Sequence, residues 1–184
     1  MLYFVFGAVA LGLVALDQWT KLWTAANFAA PLASNIYSTA DPAKPLLPGL
    51  VELTRVHNYG AAWSSFSGQK WLLIGLTSVL LVIVLVLVAK KIVRHPVGLA
   101  ACMLILAGGI GNLIDRVRAG YVVDMFHFEF WPSYPVFNVA DICVVIGAVL
   151  GSIYYLWIYE KYDAPKKAQV KEEPTDGEAD APTE

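Results

Sequence analysis

The segment at residues 71–89 has the sequence WLLIGLTSVLLVIVLVLVA and contains no charged side chain. A helix needs about 20 mainly apolar residues to cross the roughly 30 Å of hydrocarbon in a bilayer. The whole chain is 58% apolar and 15% charged, whereas soluble domains carry about 25% charged residues. Similar apolar segments recur along the chain, and we predict four transmembrane spans at about 1–24, 71–89, 97–114 and 139–159.

The two ends of the chain set the expected domain limits. The first apolar segment lacks a basic region before it, and DQWTK follows it instead of a small-residue cleavage site. We therefore predict a retained first helix rather than a signal peptide. Residues 164–184 are polar and rich in Pro and Glu, a composition typical of disorder. Residues 1–163 are thus expected to form one transmembrane domain, followed by a disordered cytoplasmic tail.

Basic residues close to the spans predict the orientation, because short cytoplasmic loops carry an excess of Lys and Arg. The loop KKIVRHP at residues 90–96 separates the second and third spans, and further lysines follow the fourth. We therefore expect both termini and this loop to be cytoplasmic. The remaining connections, at about 27–70 and 115–137, then lie on the extracytoplasmic side.

The two extracytoplasmic connections contain strand-like segments. The sequences LVELTRV at 50–56 and YVVDMFHFEF at 121–130 are rich in the β-branched and aromatic residues typical of strands. The connection at about 27–70 is long for a small protein, and such a connection is usually functional or disordered. We predict an all-α membrane bundle that carries a small extracytoplasmic β-sheet, a cradle, together with an amphipathic outer loop.

Two aspartates lie where the bundle and the sheet are expected to meet. Asp124 alternates with Val122 and the phenylalanines that follow, which places it on an otherwise apolar strand face. A lone carboxylate there is costly unless it has a partner or a function. Asp141 lies in FNVADI at the start of the fourth span, and an ionisable residue in a membrane helix is a functional-site hypothesis by default.

The local pattern leaves two roles open for Asp141. Asn138 is a favourable N-cap residue, and Asp141 then occupies the third helical position, where the helix dipole favours its negative charge. Burial near a second carboxylate would instead favour a protonated Asp124. Such a pair can share one proton, deprotonate a water and protonate the leaving amide nitrogen, as in aspartic proteases. Capping and catalysis are equally compatible with this pattern.

Other charged residues form a second group of candidates. Asp17 and Lys21 are spaced i, i+4 in the first span, which predicts a helix-supporting pair whose role is either structural or functional. Asp115 directly precedes Arg116 at the end of the third span. We expect a local ion pair or helix-end contact for Asp115. Arg116 is a candidate for binding a lipid headgroup or the backbone of a substrate.

The remaining patterns predict no additional chemistry. Residues 147–151 contain a Gly-x-x-x-Gly motif, which lets helices approach closely; we expect it to pack within the chain and the protein to be a monomer. His57, His95 and His127 lack the spacing of a metal site, so we expect no metal and no cofactor. The net charge of −2 gives no indication of nucleic-acid binding, whereas membrane lipids are expected partners.

Five sequence blocks together resemble one family, the bacterial lipoprotein signal peptidases, also called type II or prolipoprotein signal peptidases. The blocks occur in the family's order, and with the four apolar spans they cover about residues 10–155. In this chain they are LDQWTK, HNYGAAWS, GGIGNLIDR, GYVVDM and FNVADICVVIG. Each block alone is weakly specific, whereas all five in order are highly specific.

The resemblance implies a four-helix aspartyl endopeptidase of the bacterial inner membrane, with its active site near the extracytoplasmic face. Such an enzyme removes the signal peptide from diacylglyceryl-modified prolipoproteins, just before the lipidated cysteine. Asp124 and Asp141 match the family's catalytic pair. The positions in these blocks that we expect to bind substrate or support the pair are Asn58, Gly60, Asn112, Asp115, Arg116, Asn138, Asp17 and Lys21.

Two alternatives come from other functional classes. A small transporter or proton relay would use Asp124 and Asp141 to carry protons across the membrane, and its charged residues would be spread through the depth of the spans. A structural or assembly protein without chemistry would tolerate Asp→Asn at both positions. The clustering of charges at one end of the spans favours the peptidase.

Overall fold

The computed structural model describes residues 2–31 and 41–164. Four helices in it are long and apolar enough to cross a membrane. The regular elements, in chain order, are α1 (Leu2–Asn27), β1 (Lys44–Leu47), β2 (Val51–Asn58), a 3₁₀ turn (Ala62–Ser64), α2 (Lys70–Ala89), α3 (Pro96–Arg118), β3 (Val122–Phe128), α4 (Val139–Ile153), a π-helical turn (Tyr154–Ile158) and α5 (Tyr159–Tyr162). The π turn and α5 continue α4, so the fourth span covers Val139–Tyr162.

Helix α3 is the centre of the bundle, since α1, α2 and α4 all pack against it. One close approach involves Gly147 of the Gly-x-x-x-Gly motif of α4. A Cβ atom on Gly147 would lie 2.9 Å from Cγ1 of Ile105 and 3.1 Å from the carbonyl oxygen of Ala101, both on α3. Only glycine allows this spacing between the helices. The motif therefore packs within the chain, as predicted.

The three strands form an antiparallel sheet in the order β1-β2-β3. Leu53 pairs with Phe126, and the next pair is Val56 with Asp124. Between these two pairs β2 therefore holds one residue more than β3. This β-bulge shifts the side-chain alternation of β2 relative to that of β3. As a result Val56 and Asn58 lie on the same face of the sheet as Asp124 and Val122.

At the end of the bundle opposite the sheet, Asp163 ties α4 to the α2–α3 connection. Its carboxylate accepts hydrogen bonds from the backbone N–H groups of Arg94 and His95 and from the hydroxyl of Tyr154. Burial by itself raises the pKa of Asp163, but these hydrogen bonds outweigh it and lower the pKa to about 2. The basic loop and the end of α4 therefore lie at the same membrane face.

The predicted architecture, four spans with a small sheet, is confirmed. Helix α3 continues to Arg118, which is four residues beyond the predicted end of that span, so Asp115 and Arg116 are helical. Strand β1 was not predicted from the sequence. Part of the outer loop, residues 32–40, and the predicted tail from residue 165 onward lie outside the described residues.

Candidate active site

Strand β3 carries Asp124 into the interior, where its side chain is fully buried, with 1% of its surface exposed. The strand alternation places Val122 and Asp124 on the face that meets the helices. Phe126 and Phe128 continue this face and pack against Phe137 with ring centroids 5.7 and 4.9 Å apart. Asp124 is thus the carboxylate on an apolar strand face that the sequence predicted.

Asp141 lies in the first turn of α4, at the position that the capping argument predicted. Asn138 is the N-cap, and its Oδ1 accepts the N–H of Asp141 at 2.9 Å. In return, Oδ2 of Asp141 accepts the N–H of Asn138 at 3.1 Å, which completes a capping box. Asp141 also lines the cleft described below. The capping geometry therefore holds the carboxylate at the cleft wall. Capping and catalysis, the two roles that the sequence left open for Asp141, are thus compatible.

Three asparagines direct their side-chain N–H groups at the two aspartates. Nδ2 of Asn58 donates to Oδ2 of Asp124 at 3.1 Å, and Nδ2 of Asn138 donates to Oδ1 of Asp124 at 2.6 Å. Nδ2 of Asn112 donates to Oδ1 of Asp141 at 2.8 Å. Asn138 thus donates to both carboxylates, to Asp124 from its side chain and to Asp141 from its backbone.

The orientation of each amide is determined by a partner that can only donate a hydrogen bond. Oδ1 of Asn58 accepts the N–H of Gly60, and Oδ1 of Asn138 accepts the N–H of Asp141. Oδ1 of Asn112 accepts from the Lys21 ammonium at 2.9 Å. In each case the oxygen is therefore occupied, and only the nitrogen remains to face a carboxylate.

A buried layer of charge lies directly behind the asparagines. The ammonium of Lys21 is 2.9 Å from Asp17 and 3.2 Å from Asp115, and all three side chains are almost inaccessible. Gln18 connects the layer, because its Nε2 lies within hydrogen-bonding distance of Asp17, Asp115 and the carbonyl of Gly111, and its two N–H groups are shared among these three acceptors. This arrangement satisfies the buried charges, which would otherwise be costly.

The charged layer also anchors the segments that carry the two aspartates. Oδ1 of Asp17 accepts the N–H of Ala140, the residue before Asp141. Oδ2 of Asp115 accepts the N–H of Val123, the residue before Asp124. Asp17 and Lys21 form the predicted i, i+4 pair. Of the two contacts predicted for Asp115, the helix-end contact is present as its hydrogen bond with Val123, just after α3. The local ion pair is wrong: the cationic partner of Asp115 is Lys21 on α1, because the last turn of α3 faces that helix.

Arg116 lies on a different face of α3 from Asp115 and points toward the loop after β2. Its Nη2 donates to the carbonyl oxygen of Gly60 at 2.7 Å, while its Nε is buried without a hydrogen-bond partner in the described part of the chain. Gly60 occupies a position where a Cβ atom would lie 2.6 Å from the backbone of Ser64. A glycine is therefore required for this loop to reach Arg116.

A cleft of about 450 Å³ leads from the membrane-facing side to the aspartates. Its walls come from α2, α3 and α4, with the 61–64 loop and the 134–137 segment at its polar end. Apolar side chains dominate its walls, whereas the polar end groups are Asn58, Asn112, Arg116, Asp124 and Asp141. The cleft can accept an apolar helix or chain whose polar backbone reaches the aspartates.

The surroundings of Asp124 raise the pKa of its carboxyl group well above the ordinary value. Burial is the largest cause, and the negative charge of Asp141 is the next. The hydrogen bonds from Asn58 and Asn138, and the charge of Lys21, act in the opposite direction. Asp124 is therefore favoured in its protonated form.

The structure brings all ten predicted site residues into one connected region. Gln18 was missed by the sequence analysis, although it follows Asp17 and shares a helix face with Lys21. The polar stripe at 17, 18 and 21 within an apolar helix was the available signal. Within residues 2–31 and 41–164, no group of three or more His, Cys, Asp and Glu side chains is placed to hold a metal ion.

Comparison with known proteins identifies the family. A sequence model described as Signal peptidase (SPase) II matches residues 9–157. The chain belongs to the signal peptidase II family. The lipoprotein signal peptidase of Lactococcus lactis subsp. lactis is 43% identical over 144 residues, which cover 77% of this chain and 86% of that protein. The lipoprotein signal peptidase of Enterococcus faecalis is 38% identical over 159 residues, covering 85% and 88%.

Solved structures agree with this assignment. A bacterial membrane enzyme determined by the in meso method at 2.3 Å resolution matches with a TM-score of 0.72 and 26% identity, covering 89% of this chain and 93% of that one. A second, at 1.9 Å resolution, matches with a TM-score of 0.71 and 28% identity, covering 84% and 94%. The family predicted from the five sequence blocks is confirmed. The chain is a multi-pass membrane peptidase of bacterial type.

Proposed function

We propose that this signal peptidase II is an aspartyl endopeptidase that removes the signal peptide from diacylglyceryl-modified prolipoproteins, just before the lipidated cysteine. The observation that carries the proposal is the pairing of Asp124 and Asp141 through Asn138 at the polar end of an apolar cleft. The substrate class is supported by the relatives named lipoprotein signal peptidases.

Before cleavage, the two aspartates hold one proton, and it resides on Asp124. Complete burial favours the neutral form of this carboxyl group. Asp141 is partly exposed to the cleft and caps the first turn of α4, where the helix dipole favours a carboxylate. The asymmetry gives each aspartate a distinct role as acid or base.

The first chemical step is the attack of water on the scissile carbonyl carbon. Asp141 accepts a proton from this water as general base, while Asp124 donates its proton to the carbonyl oxygen. The product of the step is a tetrahedral diol, and the proton that left the water now resides on Asp141. Asn112 and Asn138 keep the two carboxyl groups in position through the hydrogen bonds described above.

The second step breaks the carbon–nitrogen bond. Asp141 returns its proton to the departing amide nitrogen, and one hydroxyl of the diol gives its proton back to Asp124. The signal peptide then leaves with a new carboxyl group, and the lipidated cysteine becomes the amino terminus of the product. The pair is restored to its starting state, so water is the only reagent consumed.

The cleft suits a substrate that remains in the membrane. The apolar signal helix lies against α2, α3 and α4, because Leu73, Thr77, Ile105 and Val144 line this part of the cleft. The acyl chains of the cysteine stay in lipid, while the extended cleavage site passes the two aspartates. Arg116 lines the polar end of the cleft, where its guanidinium group offers a donor to the carbonyl groups of the substrate backbone.

We place the sheet and the aspartates at the extracytoplasmic face and both termini in the cytoplasm. This orientation is supported by the basic residues Lys90, Lys91 and Arg94, which lie at the opposite end of the bundle from the sheet. We also expect the enzyme to act as a monomer, because its glycine motif is already used between α3 and α4.

The proton-relay alternative is less well supported. A relay needs titratable groups through the depth of the membrane. Three helices carry no charge across the middle of the membrane. No charged residue occurs in α2 after Lys70, in α3 before Asp115, or in the fourth span between Asp141 and Glu160. The titratable groups of the site thus gather at one face, as a hydrolytic site requires.

The substrate assignment can be tested with purified protein in detergent and three forms of one prolipoprotein. They are the diacylglyceryl-modified form, the unmodified form and a Cys→Ser variant. We expect cleavage of the modified form alone, and mass spectrometry should place the cut immediately before the modified cysteine. Equal cleavage of all three, or a cut elsewhere, would contradict the proposed specificity. Unchanged cleavage with added chelator is expected if no metal takes part.

A further inference from the structure

A second cavity lies on the other side of α3 from the cleft, and the proposed peptidase chemistry does not use it. It has a volume of about 250 Å³ and shares no lining residue with the first. Strand alternation separates the two, because β3 directs Val122 and Asp124 into the cleft while Tyr121 and Val123 line the second cavity. The bulge in β2 likewise leaves Arg55 facing the second cavity.

The cavity is lined by three cations and one carboxylate. Lys21 and the carboxylate, Asp115, belong to the buried charged layer, in which one ammonium contacts two carboxylates, Asp115 and Asp17. Asp115 has no remaining demand for a cation, because it also accepts hydrogen bonds from Gln18 and Val123. The buried layer, with one ammonium and two carboxylates, has a net charge of −1, so adding Arg55 and Arg118 leaves a net charge of +1 at the cavity.

Both arginines retain free N–H groups. Nη1 of Arg55 donates to the carbonyl oxygens of Ala25 and Phe28 at the end of α1, and its Nε donates to His57. In the described part of the chain, Nη2 of Arg55 has no partner, and Arg118 makes neither a side-chain hydrogen bond nor an ion pair. Planar guanidinium groups of this kind bind phosphate oxygens well.

The position of the cavity in the membrane indicates where a phosphate would come from. It lies beside the last turns of α1 and α3, where the bundle meets the sheet, and the exposed Leu22 forms part of its rim. Trp19 and Trp23 project from the same part of α1, and tryptophan is enriched at the level of the lipid headgroups. The volume is below the roughly 300–1,000 Å³ typical of pockets for drug-sized ligands, which suits a headgroup.

We propose that Arg55 and Arg118 form a binding site for a phosphate group, of the kind carried by an anionic phospholipid. A phosphate held between them joins β2 to the end of α3 and balances the remaining positive charge. The site is separate from the peptidase reaction, so its test does not depend on the proposed function.

Binding can be measured by native mass spectrometry on delipidated, folded protein in a neutral detergent. The probes are dihexanoyl phosphatidylglycerol, inorganic phosphate and dihexanoylglycerol, which has no phosphate. The variants are Arg118→Gln and Arg55→Gln, with Lys90→Gln at the opposite face as the matched loss of one positive charge. Arg118 is exposed and makes no contact that the fold requires, so its variant should fold even if Arg55→Gln does not.

We expect saturable binding of the phosphatidylglycerol probe that Arg118→Gln weakens roughly tenfold, the effect of losing a hydrogen bond to a charged group, and that Lys90→Gln leaves unchanged. Binding of this probe without binding of inorganic phosphate identifies a lipid headgroup as the source. If the phosphatidylglycerol probe and inorganic phosphate both bind, and Arg118→Gln weakens the binding of each, the phosphate group alone is the ligand. Equal binding in Arg118→Gln and wild type, equally tight binding of dihexanoylglycerol, or no saturable binding of either phosphate probe would overturn the proposal.

Discussion

The side-chain amide nitrogen of Asn138 lies 2.6 Å from Oδ1 of Asp124. Asn138 also begins α4, so one residue connects the buried strand carboxyl to the helix that carries Asp141. The relative position of the two aspartates therefore depends on a residue that a sequence pattern identifies only as a helix cap.

Replacing Asn138 separates its role as the cap of α4 from its contact with Asp124. Asn138→Ala should lower stability by about 1 kcal/mol through loss of the cap and should lower kcat roughly 100-fold. Asn138→Ser keeps a capping oxygen but cannot reach Asp124, so it should melt near the wild-type temperature and still show the low kcat. Thermal unfolding in detergent and cleavage kinetics measure the two effects. Full activity in Asn138→Ser would show that the contact with Asp124 is dispensable.

The pH dependence of cleavage should report the raised pKa of Asp124. The active form carries a proton on Asp124, so kcat/KM should be lost as the pH rises through this pKa. Asn58→Ala removes a hydrogen bond that favours the carboxylate, and the alkaline limb should therefore move to higher pH. A limb that stays in place, or moves to lower pH, would show that it belongs to another group.

His57 cannot produce this alkaline limb. Burial, followed by the positive charge of Arg55, lowers the pKa of His57 to about 4. The imidazole is thus neutral throughout the range in which the limb is expected. The profile of a variant such as His57→Phe should keep the same limb if that variant folds, which provides a check on the assignment.

The buried charged layer should contribute strongly to stability. Lys21→Met leaves Asp17 and Asp115 without a cation, and loss of one partner from a buried ion pair costs about 3–5 kcal/mol. Lys90→Met, at an exposed site on the opposite face, is the matched control and should change stability little. Unfolding of both variants in the same detergent tests this expectation. Similar stability of the two would mean that the layer is not a major support of the fold.

The loop that reaches Arg116 should require glycine at position 60. A Cβ atom there would lie 2.6 Å from Ser64, so Gly60→Ala must displace the carbonyl group that Arg116 binds. We expect roughly a 100-fold loss of kcat/KM, the cost of a misplacement of about 1 Å near a reacting centre. Gly75→Ala is the control, because a Cβ at Gly75 meets nothing within 4 Å. Comparable activity of the two variants would contradict the proposed requirement.

The spans and the sheet were predictable because they rest on local composition. An uncharged run such as 71–89 can satisfy its backbone in lipid only as a helix or a closed barrel, and the alternation around Asp124 shows directly which residues share a strand face. The capping role of Asp141 likewise follows from its distance to Asn138. These features depend on neighbours in the sequence.

The remaining features depend on pairing between distant segments. The bulge that brings Asn58 to the face of Asp124 lies in the register of β2 against β3, and nothing in either strand alone requires it. Asp115 precedes a cation in the sequence, yet its partner is Lys21 on another helix. The short strand β1 has an exposed, proline-containing sequence, so no hydrophobic alternation marked it.

The catalytic roles proposed for Asp124 and Asp141 should determine the kcat for cleavage of a diacylglyceryl-modified prolipoprotein. The comparison uses wild type, Asp124→Asn, Asp141→Asn and the control Glu160→Gln, which removes an exposed carboxylate at the opposite face. We predict that each Asp→Asn change, in folded protein, lowers kcat at least about 100-fold, the contribution of a general acid or base, while Glu160→Gln cleaves normally. Cleavage near the wild-type rate by either aspartate variant would show that the two aspartates are not a catalytic pair.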